Sequence, residues 1–363
     1  MISYIGYFRN LPPQNAYFGG ANTPEGFVSD YGELFDEKTF TKVYIVKGGS
    51  GTGKSTLIRR CAGAAERCGA KATYILCGSD PDSLDGVLLT RNEIRIAIVD
   101  GTAPHTLDPV YAGTCGEIVN CGNHWNAPAL EASKSEIVDI VQQKQACYAR
   151  AYRYLSGALS VRGAGRRSLG QVLLREKMEK CVVRTASSLK PSHQDGQILN
   201  RRTLALSMKG ACRVPVFSQA EHVIAVKDCA DTTPAFFEKL TEVLYSEGHR
   251  VVRSRSPLGD TAELYLPEQD TAFVSYTEED RDTYEKIINM QRFVNKEVLT
   301  AHRQKRRFGE KCFDALLCGA LDSLSEAREL HFRLEEIYKA KMDFDGLDQL
   351  AESLTNTIVK RFQ

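Results

Sequence analysis

The sequence predicts an α/β protein built twice over, each copy a parallel sheet followed by a helical hairpin. Three observations carry that expectation. A short apolar strand runs into a glycine-rich loop and a helix start at residues 42–56. Further short, continuously apolar strands follow, separated by helical stretches, which suits a parallel sheet covered on both faces. The same order of elements then recurs in the second half of the chain. At 363 residues the chain has length for about two domains, each burying its own core.

Composition narrows the classes. Hydrophobic residues make up 42% and charged residues 26%, ordinary values for a soluble globular protein. A net charge of +1 gives no overall field, so nucleic acid and anionic membranes are not expected partners. No apolar run approaches the ~20 residues that span a bilayer, so no membrane segment is expected. Pro12 and Pro13 interrupt what would be the apolar core of a signal peptide. There are eleven cysteines and no C-x-x-C pair. Cys61, Cys68, Cys77, Cys147 and Cys181 fall in helical or strand patterns, as expected of reduced thiols in a cytoplasmic protein.

Taken in order, residues 1–130 are expected to form the first domain. Its lead-in is rich in aromatics (Tyr7, Phe8, Tyr17, Phe18, Phe27) suited to core packing. Strand Lys42-Val43-Tyr44-Ile45-Val46-Lys47 enters Gly48-Gly49-Ser50-Gly51-Thr52-Gly53-Lys54-Ser55-Thr56, a match to G-x-x-x-x-G-K-[ST]. The glycines let backbone N–H groups converge on phosphate oxygens, and the helix directs its positive dipole end at the same place. Lys54 is expected to contact β- and γ-phosphates, and Ser55, with Thr56 beside it, to offer a hydroxyl to Mg²⁺. The pattern is that of a P-loop NTPase, with ATP and Mg²⁺ as the expected cofactors.

A helix over residues 55–68 ends at Gly69, and a strand over 71–77 runs into an acidic turn at 78–86. Residues 95–100 form an apolar strand ending in Asp100, the expected Mg²⁺ carboxylate. Ligands of such sheets bind at the carboxyl ends of strands, where loop, turn and Asp100 all fall. No Glu follows Asp100, so Asp80, Asp82, Asp85, His105 and Glu117 remain for base or substrate work. Asp80 and Asp82 rank first because their turn leaves a strand at the ligand edge. Cys115, Cys121 and His124 match no standard zinc spacing.

Residues 131–190 are expected to be a helical hairpin, its two helices joined by a solvated Gly/Arg loop over 161–167. Residues 191–277 are expected to be a degenerate copy of the first domain, and 278–363 a C-terminal helical region. His222-Val223-Ile224-Ala225-Val226-Lys227 parallels the first strand, and Leu316-Leu317-Cys318-Gly319-Ala320-Leu321 echoes Tyr154-Leu155-Ser156-Gly157-Ala158-Leu159. The second loop has no glycine; Pro234 is expected where Lys54 stood, and Tyr276 or Thr277 where Asp100 stood. Asp228 and Asp231 would repel phosphate. Arg250, Arg253 and Arg255 are expected to be surface charge, as is the run Arg303-Gln304-Lys305-Arg306-Arg307.

The phosphate loop, the segments Cys77-Gly78-Ser79-Asp80-Pro81-Asp82-Ser83-Leu84-Asp85-Gly86-Val87 and Ile98-Val99-Asp100-Gly101-Thr102-Ala103-Pro104-His105, and the lead-in Asn22-Thr23-Pro24-Glu25-Gly26-Phe27 together resemble an uncharacterised family of bacterial, mainly Firmicute, proteins. Members carry two tandem P-loop ATPase-like halves. The resemblance spans the chain and is concentrated in residues 1–130; it implies an intracellular ATP-binding protein and supplies no substrate. The expected function is therefore an ATPase with one working and one degenerate nucleotide site, driving conformational change. The alternatives are a small-molecule kinase, with Asp80 or Asp82 orienting an acceptor, and a nucleotide-gated binding module without turnover. The acceptor or protein partner is left open.

Overall fold

A computed structural model describes residues 4–12, 14–168, 170, 172–192 and 195–363. The first half contains β1 (Arg9–Asn10), β2 (Ala16–Phe18), β3 (Gly20–Thr23), β4 (Gly26–Ser29), α1 (Tyr31–Leu34), β5 (Lys42–Lys47), α2 (Lys54–Arg67), β6 (Lys71–Leu76), β7 (Leu84–Arg91), β8 (Ile94–Asp100) and β9 (Gly116–Asn120). Helices α3 (Ala127–Glu131), α4 (Lys134–Ser168) and α5 (Arg175–Ala186) follow. The second half repeats the order with β10 (Gln197–Asn200), β11 (Leu204–Ser207), β12 (Gly210–Arg213), β13 (His222–Lys227), α6 (Thr233–Ser246), β14 (Arg250–Arg255), β15 (Thr261–Leu266), β16 (Thr271–Ser275) and β17 (Lys286–Asn289). Helices α7 (Lys296–Ala301), α8 (Arg303–Lys339) and α9 (Phe344–Phe362) complete it.

Each half builds a six-stranded sheet, β2-β6-β7-β8-β5-β9 and β10-β14-β15-β16-β13-β17. The two orders correspond strand for strand. The sheets are mixed, correcting the expected parallel sheet: β7 is antiparallel to β6 and β8, and β15 to β14 and β16. The signal overlooked in the sequence is the hairpin turn between β7 and β8, where Asn92 takes φ 53°, a left-handed conformation that asparagine tolerates. β5 lies between β8 and β9 and pairs in parallel with both, so its carboxyl end opens beside that of β8.

The stretch expected as a Gly/Arg loop is helix: Gly163 and Gly165 lie inside the 35-residue α4. Two helical glycines cost roughly 1 kcal/mol each, and α4 offsets that cost by packing along α8 over most of its length. The two run antiparallel, with Arg150 Nε donating to Ser323 Oγ at 2.9 Å and Gly157 against Leu316. A Cβ on Gly319 would stand 3.2 Å from the Tyr154 ring, so the echoed glycines mark where the helices approach most closely.

The last helix of each half does not fold back on its own sheet. Leu347, Ala351, Leu354 and Ile358 of α9 join Leu57, Ile58 and Cys61 of α2 in one core. Met178, Val182 and Ala186 of α5 join Phe236, Phe237 and Leu240 of α6 in another. Bridges Trp125–Met342 and Leu173–Val294 pin each crossing. The halves have exchanged their final helices.

Candidate phosphate and cation site

Strand β5 is buried except for Lys47, and residues 48–53 turn the chain into α2. Gly51 (φ 67°) and Gly53 (φ 78°) hold left-handed backbone that only glycine adopts cheaply. The other constraint comes from above. A Cβ on Gly49 would meet the Tyr338 ring at 2.9 Å, one on Gly51 the Glu335 carbonyl at 2.8 Å, and one on Gly53 the Leu347 side chain at 2.6 Å. The end of α8 and the start of α9 therefore roof the loop. A Cβ on Gly48 would stand 2.6 Å from Thr52 Oγ1, which is itself buried and donates to the Gly49 carbonyl at 2.9 Å. Ser50 is half-buried and Thr56 exposed.

Lys54 opens α2. Its Nζ donates to the carbonyls of Gly49 (2.6 Å) and Gly48 (3.3 Å) and lies 3.5 Å from Asp100 Oδ2. Ser55 Oγ accepts from the Leu84 N–H at 3.0 Å. Asp100 ends β8 in register with Val46 of β5. Its Oδ1 accepts from the Thr102 N–H (3.0 Å) and hydroxyl (2.5 Å), leaving Oδ2 toward Lys54. The sequence thus places Lys54, Ser55 and Asp100 at one sheet edge, and the structure brings them together.

Asp80 and Asp82 go elsewhere. Lys209, at the tip of the β11–β12 hairpin, pairs with Asp82 and lies 3.3 Å from Asp80. The Met208 N–H of the same tip donates to the Ser79 carbonyl at 2.9 Å. The carboxylate that faces Asp100 is Asp85, one step beyond the Gly86–Val99 pair of the β7–β8 ladder. Asp85 is 4% exposed. Burial, and then the Asp100 charge, push its carboxyl up to about 7, against the Tyr31 hydroxyl and Cys77 thiol, which favour its charged form, and the weaker pull of Lys54.

His105 completes the cluster. Its Nε2 lies 3.6 Å from Asp85 Oδ2. Its ring sits between Tyr31 (4.5 Å between centroids) and Phe27 (5.7 Å). Burial holds its pKa below the usual histidine value, favouring the neutral ring. Asp85, Asp100 and His105 each offer a ligand atom within 4.8 Å of the others. Among the described residues, Asp85 Oδ2, His105 Nδ1 and the Tyr31 hydroxyl are buried without a hydrogen-bond partner. Glu117 is turned outward, 2.8 Å from Lys42 Nζ. Cys115, Cys121 and His124 form no metal-binding group among the described residues.

The second half holds the same place differently. Its loop, residues 228–232, is one residue shorter than residues 48–53. Helix α6 starts at Thr233, and its buried Phe236, Phe237 and Leu240 match Leu57, Ile58 and Cys61 of α2. Thr233 therefore stands where Lys54 stands and Pro234 where Ser55 stands, one position off the expectation. Val226 pairs with Ser275 as Val46 pairs with Asp100, so Ser275, not Tyr276 or Thr277, is the counterpart of Asp100.

Asp228 fills the space. Its Oδ1 accepts from the Thr233 N–H (3.0 Å) and hydroxyl (2.6 Å), and its Oδ2 from the Asp231 N–H (3.0 Å). Ala230 (φ 59°) and Asp231 (φ 60°) take the left-handed backbone that glycines take in the first loop. Asp231 is gripped by Arg162 (2.5 Å) and Arg166 (2.6 Å) of α4, which also bind Asp260. Tyr4, Phe313 and these ion pairs line a cavity of about 240 Å³, with Lys305 and Arg306 of the basic run at its wall. Arg253 donates to Asn200 Oδ1 and Arg255 to the Gly259 carbonyl, both within the second half. No family model, curated protein or solved structure matches this chain.

Proposed function

We propose that residues 48–56 bind the phosphates of ATP, that Ser55 and Asp100 hold Mg²⁺, and that the protein is a cytoplasmic P-loop NTPase with one working site. The observation that carries this reading is the meeting of Lys54 and Ser55, at the start of α2, with Asp100 on the adjacent strand. The likeness to the bacterial family with tandem ATPase-like halves points the same way. A hydroxyl and a carboxylate are the hard oxygen donors that Mg²⁺ takes.

Mg²⁺ would neutralise phosphate charge. The chain's own groups do the rest. Lys54 exchanges the Gly48 and Gly49 carbonyls for phosphate oxygens, and the N–H groups of the loop and of α2 stabilise the charge that develops on them. Asp85, with a carboxyl near neutrality, is suited to take a proton from water or an acceptor hydroxyl. Asp80 and Asp82 are occupied by Lys209. The roof of Glu335, Tyr338 and Leu347 supports a second reading, a nucleotide-gated module in which occupancy of the loop moves α8 and α9.

The test is ADP release from MgATP, with binding followed in parallel. Lys54→Ala and Asp100→Ala are each expected to lower turnover on the order of 100-fold or more. One nucleotide should bind per chain. Undiminished turnover in Lys54→Ala refutes the reading, a stoichiometry of two refutes the single site, and tight binding without turnover selects the gated module.

A further inference from the structure

We propose that Asp85, Asp100 and His105 form a binding site for one first-row transition-metal dication of the Mn²⁺ class, and that the site loads without nucleotide. It shares Asp100 with the nucleotide reading but does not need the loop to bind a phosphate.

Asp85, buried, and Asp100, half-buried, oppose each other at the end of an antiparallel ladder. Like charges in that arrangement repel, and a buried carboxylate needs a partner. Lys54 answers for Asp100, but shares its protons with two carbonyls. The Tyr31 hydroxyl and Cys77 thiol stand close enough to Asp85 to favour its charged form, but neither makes a well-formed hydrogen bond to Oδ2. His105 Nε2 lies 3.6 Å from that oxygen. That is beyond hydrogen-bond range, yet it is the separation of two ligands that each stand about 2.1 Å from a shared ion.

The imidazole is prepared for the role. Tyr31 and Phe27 pack against the ring, and the His105 backbone N–H donates to the Thr102 carbonyl at 3.1 Å, tying the loop to Asp100's own hydrogen-bond partner. Rotation of one carboxylate closes the 4.8 Å spread of the three ligand atoms. The donor set decides the ion. Two carboxylates suit Mg²⁺, Ca²⁺ and Mn²⁺, an imidazole suits later first-row metals, and the mixture favours Mn²⁺ over Mg²⁺.

The experiment titrates the full-length protein with Mn²⁺ alone, without nucleotide, by EPR. Wild type should bind one Mn²⁺, with imidazole-nitrogen modulation in the pulsed spectrum. His105→Gln and Asp85→Asn should each weaken binding roughly 10–100-fold. Lys54→Ala should keep the metal while losing ATP binding. The wild-type pulsed spectrum needs no variant to fold, and absence of nitrogen modulation on bound Mn²⁺ overturns the proposal. So does Mn²⁺ that binds only when ATP is present, a result that leaves the nucleotide reading standing. Mn²⁺ bound with imidazole coordination in a protein that does not bind ATP supports this site and overturns the other reading.

Discussion

The two halves share a strand order and a helix-start position but treat the space above that helix in opposite ways. In the first, Lys54 reaches back over a glycine loop toward Asp100, and the loop is lined by backbone. In the second, the Asp228 carboxylate takes hydrogen bonds from the start of α6, and Ser275 replaces Asp100. A helix N-terminus favours an anion. The second half meets that demand with its own chain, through Asp228. The two sheets share one topology and matching buried helix positions, while the loop between strand and helix is glycine-rich in one half and closed by a single carboxylate, Asp228, in the other.

The comparison can be broken most severely at α4. Arg162, its side chain 10% exposed, lies between Asp231 and Asp260 and 5.0 Å from the Tyr4 ring centroid. Arg162→Ala should destabilise the protein by about 2–4 kcal/mol in chemical denaturation, because two partly buried carboxylates lose a partner. Burial alone would raise Asp260, but Arg166 and Arg162 hold its pKa below the usual aspartate value. A lowered folded pKa means stability present above the unfolded value, near 4, and lost as pH falls through the folded one. The gap between wild type and Arg162→Ala should therefore be constant near neutrality and shrink on acidification below about pH 4. A gap that widens there would show that Arg162 does not act through these carboxylates.

A middle-sized effect is expected at the internal cap. Asp228→Ala removes three hydrogen bonds at the head of α6 and should cost about 1–3 kcal/mol. It should also recreate an anion site. Sulfate or phosphate should then raise the melting temperature of the variant more than that of wild type. Equal responses of the two proteins would mean that Asp228 is not a stand-in for an anion. The smallest effect is expected at Lys209, which pairs with exposed Asp82 and with Asp80. Lys209→Ala should change stability by less than about 1 kcal/mol and leave ATP binding intact. A loss of binding comparable to that in Lys54→Ala would return Asp80 and Asp82 to the site.

What the sequence determined by itself was local. The run from Lys42 to Thr56 places a strand, two left-handed glycines and a helix start in order, because backbone sterics and side-chain periodicity act over a few residues. Asp100 at a strand end was legible for the same reason, and so was the repeat of elements. The β7 and β15 strands were hidden because a single Asn92 or Asp270 turn is a faint signal beside glycine and proline. The helix through Gly163 and Gly165 was hidden because local propensity argues against it, and contacts with distant residues, among them the pairing of Arg162 and Arg166 with Asp231 and Asp260, override it. Nothing in the sequence marks Glu335, Tyr338 and Leu347 as the cover of a loop nearly three hundred residues away, or sends α9 to the first sheet and α5 to the second. Asp85 and His105 were visible as candidates, but their meeting with Asp100 depends on the β7–β8 register and on the packing of Tyr31 and Phe27. Those are choices among distant partners with similar chemistry, and the burial of one shared core decides between them.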